Sequence, residues 1–318
     1  MEKISIGRYR GLQQISSKLG SFTALALDHR QNLRKANPAF VEDQALSDFK
    51  MDVTRTLAPY ANSVLLDPEV AAAQAIAEGV LPKESGLIVS LESTGYTGEA
   101  DARSPQVIPG WSVKKAKLMG ANAVKLLVYY HPESTTATST EDFVKQILEE
   151  CQREDLVLML ETLSYSLDGT SNLDSASKRK VVVETARIFG KLSIDILKSE
   201  FPLAAENTNE KEWLDACAEI SAVCPRPWIL LSAAVDFSQY LQQVIAACES
   251  GASGIAVGRA VWKEAVMLAK VERLKYLQEI GIPRLARLTA LSEALAKPWT
   301  DFYQTDAAFD WIRTYAEN

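Results

Sequence analysis

Eight short apolar runs, rich in β-branched and aliphatic residues, recur along the chain with amphipathic stretches between them. They are FTALALD (22–28), SVLLD (63–67), GLIVSLE (86–92), AVKLLVYY (123–130), LVLMLET (156–162), DILKSEF (195–201), WILLSAA (228–234) and GIAVGR (254–259). Near-continuous hydrophobicity over so few residues marks strands buried on both faces. A helical pattern between them marks crossovers that return the chain to a parallel neighbour. Eight such units over roughly 240 residues have the count and length of a TIM (β/α)8 barrel. A doubly wound sheet is the alternative fold, but it requires a glycine-rich phosphate loop after the first strand, where this chain has DHRQN.

The pattern predicts a single domain over residues 1–318. One helix (about 4–19) comes first, barrel strands lie within about 22–259, and a helical extension covers about 260–318. The extension reads as RAVWKEAVMLAKVERLKYLQEI, then PRLARLTALSEALAKPW and a last segment near 299–316. Its apolar residues, Trp262, Leu268 and Tyr276 among them, suit either a face packed on the barrel or a subunit interface. A homo-oligomer is expected.

With a net charge of -7, a pI near 5.2 and no basic run, the chain is a poor partner for nucleic acid or anionic membranes. No apolar stretch is long enough to span a bilayer, and MEKISIGRYR lacks a signal peptide's hydrophobic core, so a cytoplasmic location is expected. Cys151, Cys217, Cys224 and Cys248 form no CxxC and sit in helix-like stretches, as reduced thiols do. The only histidines are His29 and His131, with no HxH or HExxH, which disfavours a protein-held metal. His131 reads as a surface or loop-edge residue.

Barrel enzymes place their chemistry at the C-terminal strand ends. Read in order, those ends carry Asp28, Asp67, Glu92, Tyr129 or Tyr130, Glu161, Lys198 with Glu200, Ser232 and Arg259, with Lys125 lower in the fourth strand. Lys198 stands out, because an ammonium inside DILKSEFP is expensive unless it is used. A neutral lysine attacks carbonyls to form a Schiff base, and bringing its pKa from ~10.4 to near neutrality costs about 4 kcal/mol. Lys125, two strands away, is expected to lower the Lys198 pKa by like-charge repulsion and to have its own lowered in turn. Glu161, on the strand between them, is placed to move protons, and Asp28 to balance charge or bind a substrate hydroxyl. The small-residue turns LSAAVD and VGRAVW, after strands seven and eight, suit phosphate through their backbone amides, that of Ala233 among them, with Arg259 as a charge-assisted clamp. Arg30 in DHRQNLRK suits either a second anionic group or a solvated helix start.

The ordered set LALDHR, VLLDPE, LESTGY, WSVKKAK, AVKLLVYYHP, LMLETLSY, DILKSEFP, LLSAAVD and GIAVGRAVW resembles the class I tagatose 1,6-bisphosphate aldolases over nearly the whole chain. The related sulfofructosephosphate aldolases are close behind. The resemblance implies a metal-independent TIM-barrel lyase that needs no cofactor and cleaves a ketohexose 1,6-bisphosphate to dihydroxyacetone phosphate and glyceraldehyde 3-phosphate. It implies Lys198 as the Schiff-base lysine, Glu161 as proton shuttle, and Lys125 and Asp28 as positioning groups. Ser232, Arg259 and the amides near Gly258 would hold a phosphate. Three positions depart from the family pattern. His29 stands where glutamine is usual, bearing on the distal anionic group; Ser199 replaces a valine, and Ala234 a glycine. Rival expectations are a sulfofructose phosphate substrate, a metal-dependent aldolase, and a non-catalytic barrel that binds a sugar phosphate.

Overall fold

The computed structural model describes residues 1–168, 173–233, 235–313 and 315. All eight predicted strands form. We label them β1 (Phe22–Ala26), β2 (Ser63–Leu66), β3 (Gly86–Ser90), β4 (Ala123–Tyr129), β5 (Val157–Leu163), β6 (Ile196–Ser199), β7 (Trp228–Leu231) and β8 (Gly254–Val257). Every neighbouring pair is parallel, and β8 pairs with β1 to close the barrel. Ala234, at the predicted end of the seventh run, lies outside the described residues.

Strand geometry explains the apolar runs. Successive side chains point to opposite faces, so each strand feeds two cores. Phe22, Ala24, Leu65, Ile88, Ala123, Val157, Met159, Ile196, Ile229 and Ala256 pack together inside the barrel. Their alternates, including Leu25, Val64, Leu87, Val124, Leu158, Leu197 and Leu230, pack against the surrounding helices. Those helices include Asp43–Leu57, Ala137–Arg153, Ser175–Gly190, Glu210–Val223 and Phe237–Glu249, near the stretches that the 3.6-residue pattern marked. At the start of β8, Gly254 has φ 137°, and a Cβ there would fall 2.0 Å from the Phe22 carbonyl oxygen, so only glycine fits this seam.

The termini differ from expectation. The first helix is Ile6–Ile15, and before it Glu2–Lys3 pairs in parallel with Tyr303–Gln304. Ile4, Leu12, Ile15, Trp299 and Tyr303 belong to the same core cluster as the barrel interior, joining both ends of the chain to it. Beneath them the Arg8 guanidinium meets the fully buried Asp195 carboxylate at 2.6 Å. Pro283 does not interrupt the extension: a π turn (Leu277–Gly281) runs straight into the helix Ile282–Leu295, and the proline, with no N–H to donate, sits at their junction. The hairpin Thr97–Glu99 with Ala102–Ser104, beyond β3, was not foreseen. Among the described residues no helix is long and apolar enough to cross a membrane.

Candidate active site

All ten residues singled out from the sequence (Asp28, His29, Arg30, Lys125, Glu161, Lys198, Ser232, Ala233, Gly258 and Arg259) line one cavity of about 150 Å³ at the C-terminal end of the barrel. Strand register accounts for the centre. Glu161 on β5 is directly opposite Lys198 on β6, and Lys125 on β4 is opposite Met159, one layer lower. Alternation turns all three side chains inward, where each is nearly buried.

Lys125 is the hub. Its Nζ lies 2.8 Å from Asp28 Oδ2, 2.6 Å from Glu92 Oε1 and 2.7 Å from Glu161 Oε2. Glu161 Oε2 also lies 2.9 Å from Lys198 Nζ. Both contacts are ion pairs. The expectation that repulsion from Lys198 lowers the Lys125 pKa is overturned. Burial does push it down, but Asp28, Glu161 and Glu92 together outweigh burial and hold it well above the usual lysine value. Lys125 is therefore a permanent cation, and it changes its neighbours accordingly. Burial raises Asp28 and Glu161, yet Lys125 and Lys198 bring both below the usual carboxylate range. Glu92 goes the other way, because burial prevails over Lys125.

Glu92 was read only as a strand-end residue. It is part of the cluster: Oε1 accepts from Lys125, and Oε2 accepts the Leu127 N–H at 3.1 Å. Tyr129 also lines the cavity, whereas Tyr130 turns outward and donates to Glu141 at 2.6 Å. Asp67 and Glu200 do not join the cavity. Asp67 binds Lys50, and Glu200 accepts from Ser164 Oγ at 2.7 Å. Ser199 faces away, donating to the Glu200 carbonyl at 3.1 Å.

The small-residue turns meet beside β1. Ser232 Oγ accepts the Gly258 N–H at 3.3 Å, and a Cβ on Gly258 would lie 2.7 Å from the Ala26 carbonyl oxygen. Ala233 takes φ 42°, in the left-handed region. Arg259 follows Gly258, and no described side chain pairs with its guanidinium, which leaves its donors for a ligand anion. His29 stacks edge-on against the buried Trp262, 5.4 Å between ring centroids. Its Nδ1 is 3.8 Å from Asp28 Oδ1 and unpartnered. Burial pushes the His29 pKa down to about 3, against the pull of Asp28 and with help from Arg259, so the ring is neutral. Arg30 is buried rather than solvated, with Nη1 on Glu69 and Nη2 donating to the Glu92 carbonyl at 2.6 Å. His131 is buried as well, its Nδ1 accepting the Glu133 N–H at 3.1 Å.

A family model described as the DeoC/LacD family aldolase matches residues 22–264. The chain belongs to the DeoC/LacD aldolase family. It is thus an aldolase, and its relatives match it end to end. A tagatose 1,6-diphosphate aldolase of Streptococcus mutans is 30% identical over 326 residues, covering 94% of this chain and 98% of the relative. One from Streptococcus agalactiae is 30% identical over 321 residues, covering 92% and 98%. Solved structures share the barrel. Fructose-bisphosphate aldolase of Plasmodium falciparum superposes with a TM-score of 0.72 at 14% identity, over 93% of this chain and 98% of that one. An archaeal fructose 1,6-bisphosphate aldolase gives 0.61 at 21% identity, over 90% and 99%.

Proposed function

We propose that this aldolase works through a Schiff base on Lys198 and reversibly cleaves a ketohexose 1,6-bisphosphate, with tagatose 1,6-bisphosphate as the substrate that its streptococcal relatives' names favour. The products are dihydroxyacetone phosphate and glyceraldehyde 3-phosphate. The observation that carries the reading is the amine of Lys198 set 2.9 Å from a buried carboxylate that a second, permanently charged lysine holds ionised.

Each step follows from that arrangement. Glu161 accepts a proton from Lys198, and the freed amine attacks the ketone carbon to give a carbinolamine. Glu161 returns the proton to the departing hydroxyl, water leaves, and an iminium forms. Glu161, ionised again, takes the proton of the carbon 4 hydroxyl, and the bond between carbons 3 and 4 breaks. The aldehyde departs and the iminium takes up the electron pair as an enamine. Protonation of the enamine and addition of water release dihydroxyacetone phosphate and restore the lysine. The iminium is the electron sink for the pair of the broken bond, so the proposed cycle draws on no metal or organic cofactor. Lys125 and Asp28 orient hydroxyls, and Lys125 keeps Glu161 ionised at rest and so free to accept a proton. Arg259 and the Ser232 hydroxyl, which the Gly258 amide holds in place, receive the phosphate on carbon 1.

The test is borohydride reduction with dihydroxyacetone phosphate, followed by mass spectrometry of the Lys198 peptide. A reduced adduct on Lys198, lost in Lys198→Ala together with turnover, is expected. A folded protein that binds the ligand without an adduct there refutes the mechanism.

A further inference from the structure

We infer that Arg103 binds the substrate's second anionic group, and that the hairpin carrying it forms the wall of the active site opposite the carbon 1 phosphate. The inference rests on the proposed function, which seats that phosphate at Ser232 and Arg259, just beyond β7 and β8. In the closed order of eight strands, β3 stands opposite β7 and β4 opposite β8. The cavity lining extends to that side through Ser93, Thr94 and Gly95 beyond β3, and through Tyr129 at the end of β4. The hairpin Thr97–Ser104 follows directly and leans over the ends of β4 and β5. Its Arg103 guanidinium carbon lies 5.1 Å from the centre of the Tyr129 ring and 4.5 Å from that of Tyr165. Arg103 and Tyr165 also line a second cavity, of about 320 Å³, which shares Ala233 with the active site. The guanidinium therefore borders open space while it packs on a wall of the active site.

This cation is held without being neutralised. Tyr96 adds a third ring at 4.5 Å, and attraction between a guanidinium and aromatic faces leaves the in-plane N–H donors unused. Nε donates to the Ala100 carbonyl at 2.9 Å, and among the described residues neither a carboxylate nor any other acceptor takes the four Nη donors. Arg30 differs, because its Nη1 is already on Glu69. Arg103 thus keeps both its charge and its fork for a ligand.

Its position is set in advance. Within the hairpin Arg103 is opposite Gly98, where φ is 85° and a Cβ would fall 2.5 Å from the Ala102 carbonyl oxygen. From the loop after β4, Ser134 Oγ donates to the Asp101 carbonyl at 3.1 Å and Thr136 Oγ1 to the Arg103 carbonyl at 3.0 Å. A backbone tied down in this way, with three rings around the side chain, leaves little to be ordered when an anion binds. A phosphate or sulfonate on the terminal carbon is the class of group that such a fork receives, through two parallel N–H···O bonds.

The experiment compares tagatose 1,6-bisphosphate with tagatose 1-phosphate in wild type and Arg103→Gln. The variant should raise KM for the bisphosphate by about 10- to 100-fold, as loss of a charge-assisted hydrogen bond does, while KM for the 1-phosphate moves by less than about twofold. Arg103→Lys, which keeps the charge without the fork, should recover part of the loss. An unchanged KM for the bisphosphate overturns the inference. An equal rise for both sugars also overturns it, because the hairpin would then only shape the site. Dihydroxyacetone phosphate has no distal group, so its borohydride-reduced adduct on Lys198 should form equally in wild type and Arg103→Gln. Loss of that adduct in the variant alone counts against the inference in the same way. Were the wild type itself to form no adduct, the proposed function would fail instead, and dissociation constants for the two sugars would still decide the role of Arg103.

Discussion

Replacing Lys125 with methionine removes one ammonium from between three carboxylates at 2.6–2.8 Å and keeps most of the side-chain volume. Glu161 retains Lys198 at 2.9 Å, but Glu92 keeps no other cation contact. Removing one partner of a buried ion pair costs about 3–5 kcal/mol. For a chain of this size that corresponds to a fall in Tm of roughly 6–15 °C at neutral pH. The pH dependence separates lost charge from lost packing. In wild type, Asp28 and Glu161 sit below the usual carboxylate range, so their contribution is present above the unfolded values near ~4 and is lost as pH falls through the folded values. Without Lys125, burial and mutual repulsion raise the same groups. Their contribution is then complete below the unfolded values and lost as pH rises. The Tm gap between the two proteins should therefore widen from pH 5 to pH 8, measured by thermal denaturation followed by circular dichroism. Turnover at pH 7 should drop at least a hundredfold, since a protonated Glu161 cannot accept the Lys198 proton. A gap of equal size at both pH values would mean that Lys125 contributes packing only, and the charge argument would be wrong.

Arg259→Ala should raise KM for the bisphosphate by about 10- to 100-fold with little change in kcat, because a charge-assisted hydrogen bond is worth about 1.5–3 kcal/mol. Steady-state kinetics decide it, and a loss confined to kcat would remove Arg259 from phosphate binding. Two glycines should separate stability from binding. Gly254→Ala forces a Cβ to 2.0 Å from the Phe22 carbonyl oxygen and should lower Tm while surviving folded protein keeps its KM. Gly258→Ala meets both the Ala26 carbonyl at 2.7 Å and His29 Cε1 at 3.2 Å, so its KM should rise along with a loss of stability. Equal kinetic effects in the two variants would contradict the placement of Gly258 at the anion-binding end.

Much of the barrel was legible because its signal is local. Each strand had to be apolar on both faces to serve the inner and outer cores, and a run such as GLIVS can serve no other layer so well. What escaped notice depends on partners far away in the chain or on weak patterns. Glu2–Lys3 is two exposed residues whose strand exists only because Tyr303–Gln304 lies alongside. The Thr97–Ser104 hairpin is short and exposed, and its Gly98, at φ 85°, reads equally well as plain loop. The π turn before Pro283 left no mark in the sequence for a different reason: it is a local shift of hydrogen bonding within one continuous helical run.

The site divides along the same line. Which residues gather was readable, because a charged group in an apolar strand is costly and alternation tells which side it faces. What the charges do to one another was not, because it is a sum over strands. Two lysines on β4 and β6 suggest repulsion when taken as a pair. Once Asp28, Glu92 and Glu161 arrive from β1, β3 and β5, the sum around Lys125 changes sign and repulsion between the lysines becomes the smaller effect. Glu92 was the residue needed to see this, and it looked no different from Asp67, another carboxylate at a strand end. The difference lies in where each ends up. Asp67 is turned to Lys50 and the amides of the following turn, while Glu92 reaches back over the barrel to Lys125. A sequence can say that a carboxylate stands at the mouth of a barrel, but the cation that it neutralises is chosen by the closure of the sheet. In this molecule that choice leaves Lys125 permanently charged, with Glu161 between it and Lys198.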